Sequence, residues 1–317
     1  MKNLSTRREF GKLALAAIPG AALLSGLNRS FGADAPAKPD SKVNGVQIGL
    51  NVPYSFANPI MSGDDILKSC LQLGLSGVEL RTQPVEAFLG IPPIDPAKSK
   101  ADNAKELRDW RESVALDRVK DFRAMYEDAG VKIEIVKVDG VFNMSDKELD
   151  YAFTLAKALG GRAMSTEISQ QKDESKKKDE LQRVGSFADK HEFMIGYHGH
   201  ATTTPEHWEL AFSLAKFNGA NVDLGHFVAG NNTSPAPFIT KYHDRVTHVH
   251  VKDRKFNNGP AVPFGQGDTP LVDVLHLIRD NKWPIQATIE FEYKVPADSD
   301  RMTELARCIK YCREALA

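Results

Sequence analysis

The sequence predicts an α/β protein, a single (β/α)8 TIM barrel that follows an N-terminal signal peptide. Short β-branched runs alternate with longer amphipathic stretches from residue 46 onward, a pattern typical of parallel β/α units. Eight such runs are present, at 46–50, 77–80, 132–138, 163–167, 194–198, 220–224, 246–251 and 285–292. Their spacing fits the roughly 250 residues that such a barrel requires.

The beginning of the chain has the pattern of an export signal. Arg7 and Arg8 precede an apolar stretch, 13–27, that is too short and too interrupted by Gly and Pro to span a membrane comfortably. The arrangement resembles a twin-arginine signal, and Ala-Asp-Ala at 33–35 offers a cleavage site. The expected domains are a twin-arginine signal peptide (1–35), a linker (36–44) and the barrel (45–317). We expect a periplasmic protein with no stable membrane insertion after processing.

Helix signals fall between the predicted strands. Ser145 and Glu148 form a capping box that predicts a helix to about residue 159, and Asp268-Thr-Pro270 predicts the start of another helix. The segment 90–119 is longer than a barrel connection needs and continues as a charged helix. We interpret it as a helical insertion over the barrel mouth, with a disordered linker as the alternative.

Composition and charge exclude several classes of protein. The 317 residues are 42% hydrophobic and 26% charged, which is typical of a soluble globular protein and excludes disordered, collagen-like and multi-span membrane proteins. Five of the 41 basic and two of the 42 acidic residues lie in 1–35, so 36 basic residues face 40 acidic ones in the remainder. This balance predicts no nucleic-acid partner. Three cysteines are too few for a disulfide framework, and we expect Cys308 and Cys312 to be buried thiols one helical turn apart.

Strand parity places many ionisable side chains inside the barrel. Alternate residues of a strand share a face, so each run divides into an inward and an outward set. The inward sets of the last four runs contain His198, His200, Asp223, His248, His250, Lys252, Thr288, Glu290 and Glu292. Because barrel interiors are normally filled by branched apolar residues and unpaired buried charges are costly, this set predicts a bound cation near the C-terminal ends of the strands.

The candidate metal ligands come from successive strands. Asp223, His250 and Glu290 can converge at the barrel mouth, and either His198 or Glu167 supplies a fourth ligand. Mixed imidazole and carboxylate ligands without a thiolate suit a divalent metal ion. We favour Mn²⁺, with Co²⁺, Zn²⁺ or Fe²⁺ as alternatives.

Five motifs carry a resemblance to a known family. They are Gly196-Tyr-His-Gly-His200, Asn221-Val-Asp-Leu-Gly-His226, His248-Val-His-Val-Lys-Asp-Arg254, Gly265-Gln-Gly-Asp268 and Ile289-Glu290. Together they resemble the xylose isomerase-like TIM barrel family, which includes sugar isomerases and epimerases, dehydratases and endonuclease IV-type enzymes. The resemblance covers 46–317 and implies metal ligation by Asp223, His250 and Glu290. It also implies substrate contact by His226 and substrate positioning by Arg254.

One departure from the family pattern affects the expected reaction. Many ketose epimerases of the family carry Glu at the end of strand five, where this chain has His198. Epimerisation needs two bases on opposite faces of the substrate, so the change disfavours it unless Glu167 substitutes. Twin-arginine-exported relatives with a Gly-Tyr-His-x-His strand resemble lyases that eliminate an aglycone from 3-keto-glycosides.

The remaining candidate residues are assigned by position. We expect Glu290, His198, Glu167 and Lys252 to be catalytic, with His198 or Glu167 acting as ligand or base. We expect His200, His248 and Glu79 to contact substrate. Orientation of the metal ligands is the alternative for the two histidines, and a salt bridge is the alternative for Glu79. Glu292 is interpreted as an ion-pair partner of Lys252 or Arg254, with a general base as the alternative.

The sequence therefore predicts a metal-dependent enzyme that removes a proton α to a carbonyl group of a sugar. We favour a 3-keto-glycoside lyase, with a ketose or sugar-phosphate isomerase or epimerase as the alternative. More distant hypotheses are an endonuclease IV-like phosphoesterase and a non-catalytic sugar-binding barrel. The expected partner is a small sugar or keto-glycoside substrate, and the sequence leaves the oligomeric state open.

Overall fold

A computed structural model describes residues 38–317 and forms a closed barrel of eight parallel strands. The barrel strands are β2 (Val46–Val52), β3 (Gly77–Arg81), β4 (Lys132–Lys137), β5 (Ala163–Glu167), β6 (Ile195–His198), β7 (Asn218–Asp223), β8 (Val246–Val251) and β9 (Gln286–Ile289). Each pairs with its neighbour in chain order, and β2 pairs with β9 to close the barrel. A short strand β1 (Lys42–Val43) pairs antiparallel with β2. The predicted fold class is confirmed.

Several strand ends differ from the predicted runs by one or two residues, and two boundaries differ in ways that concern contacts of the barrel. The last strand was expected to reach residue 292 but ends at Ile289, because the backbone N–H of Phe291 donates to Oγ of Ser55 and leaves the ladder. Part of the predicted linker belongs to the barrel, since Ser41 is buried and its Oγ donates to the carbonyl oxygen of Ile48. The predicted signal peptide, 1–35, lies outside the described residues.

Helices surround the barrel. They are α1 (Gly63–Gln72), α2 (Gln83–Leu89), α3 (Lys100–Arg111), α4 (Val119–Asp128), α5 (Asp146–Ala158), α6 (Glu174–His191), α7 (Pro205–Leu214), α8 (Leu224–Asn231), α9 (Ala236–Tyr242), α10 (Leu271–Asp280) and α11 (Arg301–Leu316). The predicted capping box opens α5, where Ser145 accepts from the N–H of Glu148 and Glu148 accepts from the N–H of Ser145. Between residues 38 and 317, no helix has the length and apolar character needed to cross a membrane.

The predicted insertion contains the helix α3. None of its residues is buried, and it is attached to the outer layer by ion pairs. Nε of Arg111 lies 2.8 Å from Oε1 of Glu86 in α2, and Nη1 of Arg111 lies 3.4 Å from Oε1 of Glu148 in the first turn of α5. Because α5 follows the end of β4, this contact holds α3 on the mouth side of the barrel. Trp110 packs edge-on against Tyr151.

The two faces of the barrel strands are very different. The outward faces carry apolar residues that form the core with the helices, such as Leu50, Val249 and Val251. The three cysteines are buried free thiols, with Cys308 and Cys312 one turn apart on α11 as predicted. The interior, in contrast, contains polar side chains that meet across the barrel. Strand register shifts once between Val78 and Glu79 against β4, and once between Ala220 and Asn221 against β8.

Candidate metal centre

Four side chains converge at the C-terminal ends of neighbouring strands. His198 ends β6, Asp223 ends β7, His250 lies one residue before the end of β8, and Glu290 follows β9 directly. Each offers one ligand atom, and these four atoms lie within 4.8 Å of one another. All four residues are buried. The structure thus brings together the three predicted ligands and one of the two candidates for the fourth position.

The carboxylate of Asp223 serves two neighbours at once. Oδ1 accepts a hydrogen bond from the N–H of His226 at 2.7 Å and caps the N-terminus of α8. Oδ2 faces the other three side chains, 3.5 Å from Nε2 of His198 and 3.7 Å from Nδ1 of His250. The cap fixes the rotamer of Asp223, so its second oxygen is directed into the cluster.

Glu79 determines the orientation of the His250 ring. Oε2 of Glu79 lies 2.6 Å from Nε2 of His250, and both side chains are fully buried. Within the described part of the chain, Nδ1 of His250 has no hydrogen-bond partner, although it lies 3.3 Å from Oε2 of Glu290. When Nε2–H donates to the carboxylate, the lone pair on Nδ1 points into the cluster. This carboxylate–histidine arrangement is typical of metal-ligating histidines.

Glu167 lies behind His198. Its Oε2 is 2.9 Å from Nδ1 of His198 and 2.6 Å from Nε2 of His200, and its Oε1 is 2.5 Å from Nζ of the buried Lys137. Burial raises the pKa of Glu167, but the charge of Lys137 and the hydrogen bonds from both histidines outweigh it and hold that pKa well below its usual range. With Nδ1 engaged, Nε2 of His198 faces Asp223. The geometry therefore favours His198 as the fourth ligand and Glu167 as the residue that orients it.

Lys252 provides an ammonium group beside the carboxylates. Its Nζ lies 2.6 Å from Oε2 of Glu290, 2.7 Å from Oε2 of Glu292 and 3.0 Å from Oδ2 of Asp223. Burial lowers the pKa of Lys252, but the charges of these three carboxylates outweigh it and raise the pKa above its ordinary value. The other oxygen of Glu290 accepts from Nδ2 of Asn51 at 2.8 Å. The ion pair expected for Glu292 is present.

The charge around these side chains favours a bound cation. Five carboxylates contact the histidines or Lys252, namely Glu79, Glu167, Asp223, Glu290 and Glu292, and they are balanced by the two lysines Lys137 and Lys252. With neutral imidazoles, three negative charges remain in a region where uncompensated charge is costly. Burial lowers the pKa of His250, yet Glu290 and Glu79 raise it well above its usual value. The donor set and this demand for positive charge fit a divalent metal ion.

The sequence of the chain matches a known family. Residues 67–313 match the model of a family described as the xylose isomerase-like TIM barrel. The chain belongs to the xylose isomerase-like TIM barrel family. None of the curated proteins compared with the chain matches its sequence.

Several solved structures share the fold of this chain. The probable 3-DHS dehydratase AsbF from Bacillus anthracis is 13% identical, with a TM-score of 0.61, and the match covers 84% of this chain and 98% of that one. A xylose isomerase domain protein from Alicyclobacillus acidocaldarius is 15% identical, with a TM-score of 0.61 and coverage of 86% and 99%. A sugar phosphate isomerase/epimerase from Parabacteroides distasonis is 14% identical, with a TM-score of 0.58 and coverage of 89% and 97%. At these identities the likeness concerns the fold alone.

Two of the expected substrate contacts lie deep in the barrel of this member of the xylose isomerase-like family. Glu79 and His248 are fully buried, and Oε2 of Glu79 lies 3.4 Å from Nε2 of His248 as well as beside His250. His248 precedes His250 by two residues on β8 and therefore lies one layer deeper in the barrel. Both side chains are enclosed beneath the cluster, a position that favours the alternative roles, orientation of a ligand for His248 and an ion pair for Glu79.

The other predicted substrate contacts lie at the rim of the cluster. The side chain of His200 is 47% exposed. Nδ1 of His226 lies 2.6 Å from Nη1 of Arg254, and burial lowers the pKa of His226 to about 4, so a neutral ring accepts from the guanidinium. Nε of Arg254 is fixed by the carbonyl oxygen of Gly259 at 3.0 Å. Substrate contact by His200, His226 and Arg254 stays a prediction.

Sequence reasoning missed three residues of the site, namely Asn51, Tyr54 and Lys137. Tyr54 donates from its hydroxyl to Oε1 of Glu292 at 2.7 Å, and Nη1 of Arg81, whose guanidinium lies over the Tyr54 ring, pairs with Asp139. A usable signal existed for Lys137, which is a charged residue at the C-terminal end of a predicted strand. Asn51 and Tyr54 lie just beyond the predicted run 46–50, where parity was not followed.

Proposed function

We propose that the protein is a divalent-metal-dependent enzyme that removes a proton α to a carbonyl group of a sugar. The observation that carries this proposal is the buried group of His198, Asp223, His250 and Glu290, whose four ligand atoms lie within 4.8 Å of one another at the barrel mouth. A divalent metal ion held there would polarise a substrate carbonyl and acidify the neighbouring C–H bond. Membership of a family that contains sugar isomerases supports a sugar as the substrate.

The roles of the surrounding residues follow from their contacts. Glu290 is the proposed base, because its carboxylate lies at the mouth and receives hydrogen bonds from Asn51 and Lys252 that keep it ionised. The ammonium group of Lys252 is placed to balance negative charge that develops on a substrate oxygen. Arg254 and His226, held together by a 2.6 Å hydrogen bond, are proposed to position the sugar hydroxyl groups.

We favour elimination from a 3-keto-glycoside as the reaction. In that reaction Glu290 takes the proton from C2, the electron pair forms a double bond to C1, and the C1–O bond breaks to release the aglycone. The contacts of Glu167 support this choice, since Lys137, His198 and His200 engage both of its oxygens. Its Oε2 contacts the rings of both His198 and His200, so we assign Glu167 the task of orienting these imidazoles rather than that of a second base for epimerisation. His200, half-exposed on the β6 side of the mouth, is a candidate donor to the leaving oxygen.

Aldose–ketose isomerisation is a second candidate with its own support. In this reaction the proton is removed from one carbon and returned to the neighbouring carbon on the same face of the substrate. A pair of carboxylates on one side of the substrate therefore suffices. Glu290 and Glu292 form such a pair, bridged by Nζ of Lys252 at 2.6 and 2.7 Å. The side chain of Glu292 is 27% exposed and so faces the mouth.

One assay distinguishes these reactions. The Mn²⁺-loaded protein is incubated with 4-nitrophenyl 3-keto-β-glucoside, and separately with ketoses in heavy water. Release of 4-nitrophenol supports the lyase, whereas exchange of the α-proton with formation of an aldose and intact keto-glycoside supports the isomerase. Glu290→Gln should abolish either activity, and Glu314→Gln, on the exposed outer surface of α11, should abolish neither. The absence of both reactions with every substrate tested would contradict the proposal.

A further inference from the structure

A cavity opens at the end of the barrel opposite the candidate metal centre. Its volume is about 330 Å³, within the range of small-molecule sites. The residues that line it and matter here are Lys42, Gln47, Lys132, Arg162, Trp283 and Gln286. These residues lie at or just before the N-terminal ends of β2, β4, β5 and β9, whereas the candidate metal ligands lie at C-terminal ends. The cavity is therefore separate from the site described above.

Two glycines make room for amide side chains at this end of the barrel. A Cβ atom added to Gly49 would lie 2.0 Å from Nε2 of Gln286, and one added to Gly77 would lie 2.9 Å from Nε2 of Gln47. Barrel interiors are normally closed by branched apolar side chains. Here two glutamines fill the space that the glycines leave, so a polar floor replaces the usual apolar plug.

One hydrogen-bond acceptor of this polar floor, on the side chain of Gln286, has no donor. Gln286 is 2% exposed, and its Nε2 donates to Oγ1 of Thr288 at 3.1 Å. Its Oε1, in contrast, has no hydrogen-bond partner in residues 38–317. A buried carbonyl oxygen without a donor is unfavourable, so a ligand that offers a hydroxyl group would relieve it.

The charged lining of the cavity has a surplus of one positive charge, because Lys42, Lys132 and Arg162 face Asp40 and Glu134. In the described chain, neither Lys42 nor Lys132 has a carboxylate oxygen within 4.0 Å of its ammonium group. Arg162 pairs with Glu134 at 3.3 Å, and its Nη2 also donates to the carbonyl oxygen of Thr247. Trp283 is fixed by parallel stacking on His243, with ring centroids 4.6 Å apart. A rigid indole beside cationic groups and amides suits a sugar ring that carries a carboxylate.

We infer that this cavity binds a sugar acid, a small polyhydroxylated carboxylate. The carboxylate would pair with Lys42 and Lys132, and the ring would lie against Trp283. The enclosed amide of Gln286 would turn so that its Oε1 accepts from a hydroxyl group of the ligand. This site does not depend on the reaction proposed for the barrel mouth. It assigns a binding function to the end of the barrel that carries no candidate catalytic residue.

Calorimetric titration of the full chain with glucuronate, and with glucose as the neutral analogue, tests the inference. We expect saturable binding of one glucuronate and affinity for glucose that is weaker by about tenfold or more, because the ion pairs are lost. Lys42→Gln and Gln286→Met should each weaken glucuronate binding by about tenfold. The matched control Lys178→Gln, an exposed lysine on α6, should leave it unchanged.

A variant at the other end of the barrel distinguishes binding in this cavity from binding at the candidate metal centre. Glu290→Gln should bind glucuronate as tightly as the unaltered protein, because it alters only the metal centre. The inference is overturned by the absence of saturable glucuronate binding, or by equal binding of glucose. It is also overturned if Glu290→Gln removes binding while Lys42→Gln retains it. Lys42 is exposed, so its variant tests the site even if Gln286→Met fails to fold.

Discussion

Oε2 of Glu79 lies 2.6 Å from Nε2 of His250, although the two residues are 171 positions apart and their strands, β3 and β8, do not pair. The contact crosses the barrel interior and selects the ring nitrogen of His250 that faces the cluster. The two carboxylates nearest to His250, Glu79 and Glu290, thus have different tasks, since one holds the ring and the other lies beside its free nitrogen.

Glu79→Gln should weaken metal binding without removing a ligand. An amide holds the imidazole less firmly than a carboxylate does and makes Nδ1 less basic, so the affinity for Mn²⁺ should fall by about 10- to 100-fold. Titration calorimetry measures the change. Glu86→Gln, at a buried glutamate outside the cluster that pairs with Arg111, is the matched control and should bind the metal normally. Unchanged affinity in Glu79→Gln would remove its positioning role.

His198→Ala and Glu167→Gln should differ in metal content. If His198 is the ligand, its removal should lower the bound metal far more than Glu167→Gln, which only loosens the ring. Elemental analysis after dialysis against a limiting metal concentration gives the comparison. The reverse order would identify Glu167 as the fourth ligand.

Glu290→Gln should reduce metal affinity and activity while the barrel stays folded. The substitution removes one anionic ligand, whereas the core is formed by the outward faces of the strands and the helices. Elemental analysis and circular dichroism report the two effects separately. A variant with a full equivalent of metal and full activity would exclude Glu290 from the site.

The export prediction rests on Arg7 and Arg8. Replacing both by lysine should leave the precursor in the cytoplasm, because the twin-arginine route depends on the paired guanidinium groups. Cell fractionation and immunoblotting follow the precursor and the processed form. Efficient processing of the double variant would show that the segment is not a twin-arginine signal.

The three cysteines should resist thiol reagents in the folded protein. Burial raises the pKa of Cys70 to about 12 and of Cys308 to about 12, so at pH 8 both are thiols rather than reactive thiolates. A colorimetric thiol assay should detect no rapid reaction at pH 8 and three thiols after unfolding in denaturant. A fast-reacting thiol in the native protein would contradict the burial of these residues.

Alternation along the strands predicted much of the site. Each strand residue is tied to one face by the pleat, so the inward placement of His198, His250 and Glu290 followed from position alone. The heights of these side chains along the barrel axis could not be predicted from alternation, because they depend on the register between neighbouring strands. The shift between Val78 and Glu79 and the pairing of Asn221 with His248 place Glu79 and His248 beneath the cluster.

Contacts between distant strands could not be read from the sequence either. Whether His198 or Glu167 faces Asp223 depends on Lys137, a residue on another strand that holds one oxygen of Glu167. The cavity at the opposite end likewise depends on Gly49 and Gln286, which come from neighbouring strands far apart in the chain. Such contacts can be recognised only once the strands are arranged in the closed barrel.

The N-terminal and C-terminal halves of the barrel make different contributions to the candidate metal centre. All four candidate ligands lie in the C-terminal half, whereas the side chains that hold three of them, Asn51 for Glu290, Glu79 for His250 and Glu167 for His198, lie in the N-terminal half. Fragments separated between β5 and β6 would each be incomplete. The C-terminal fragment would contain the candidate ligands without these three supporting residues, and the N-terminal fragment would contain the three supporting residues without the ligands. The two halves must therefore associate before these three candidate ligands are held in place.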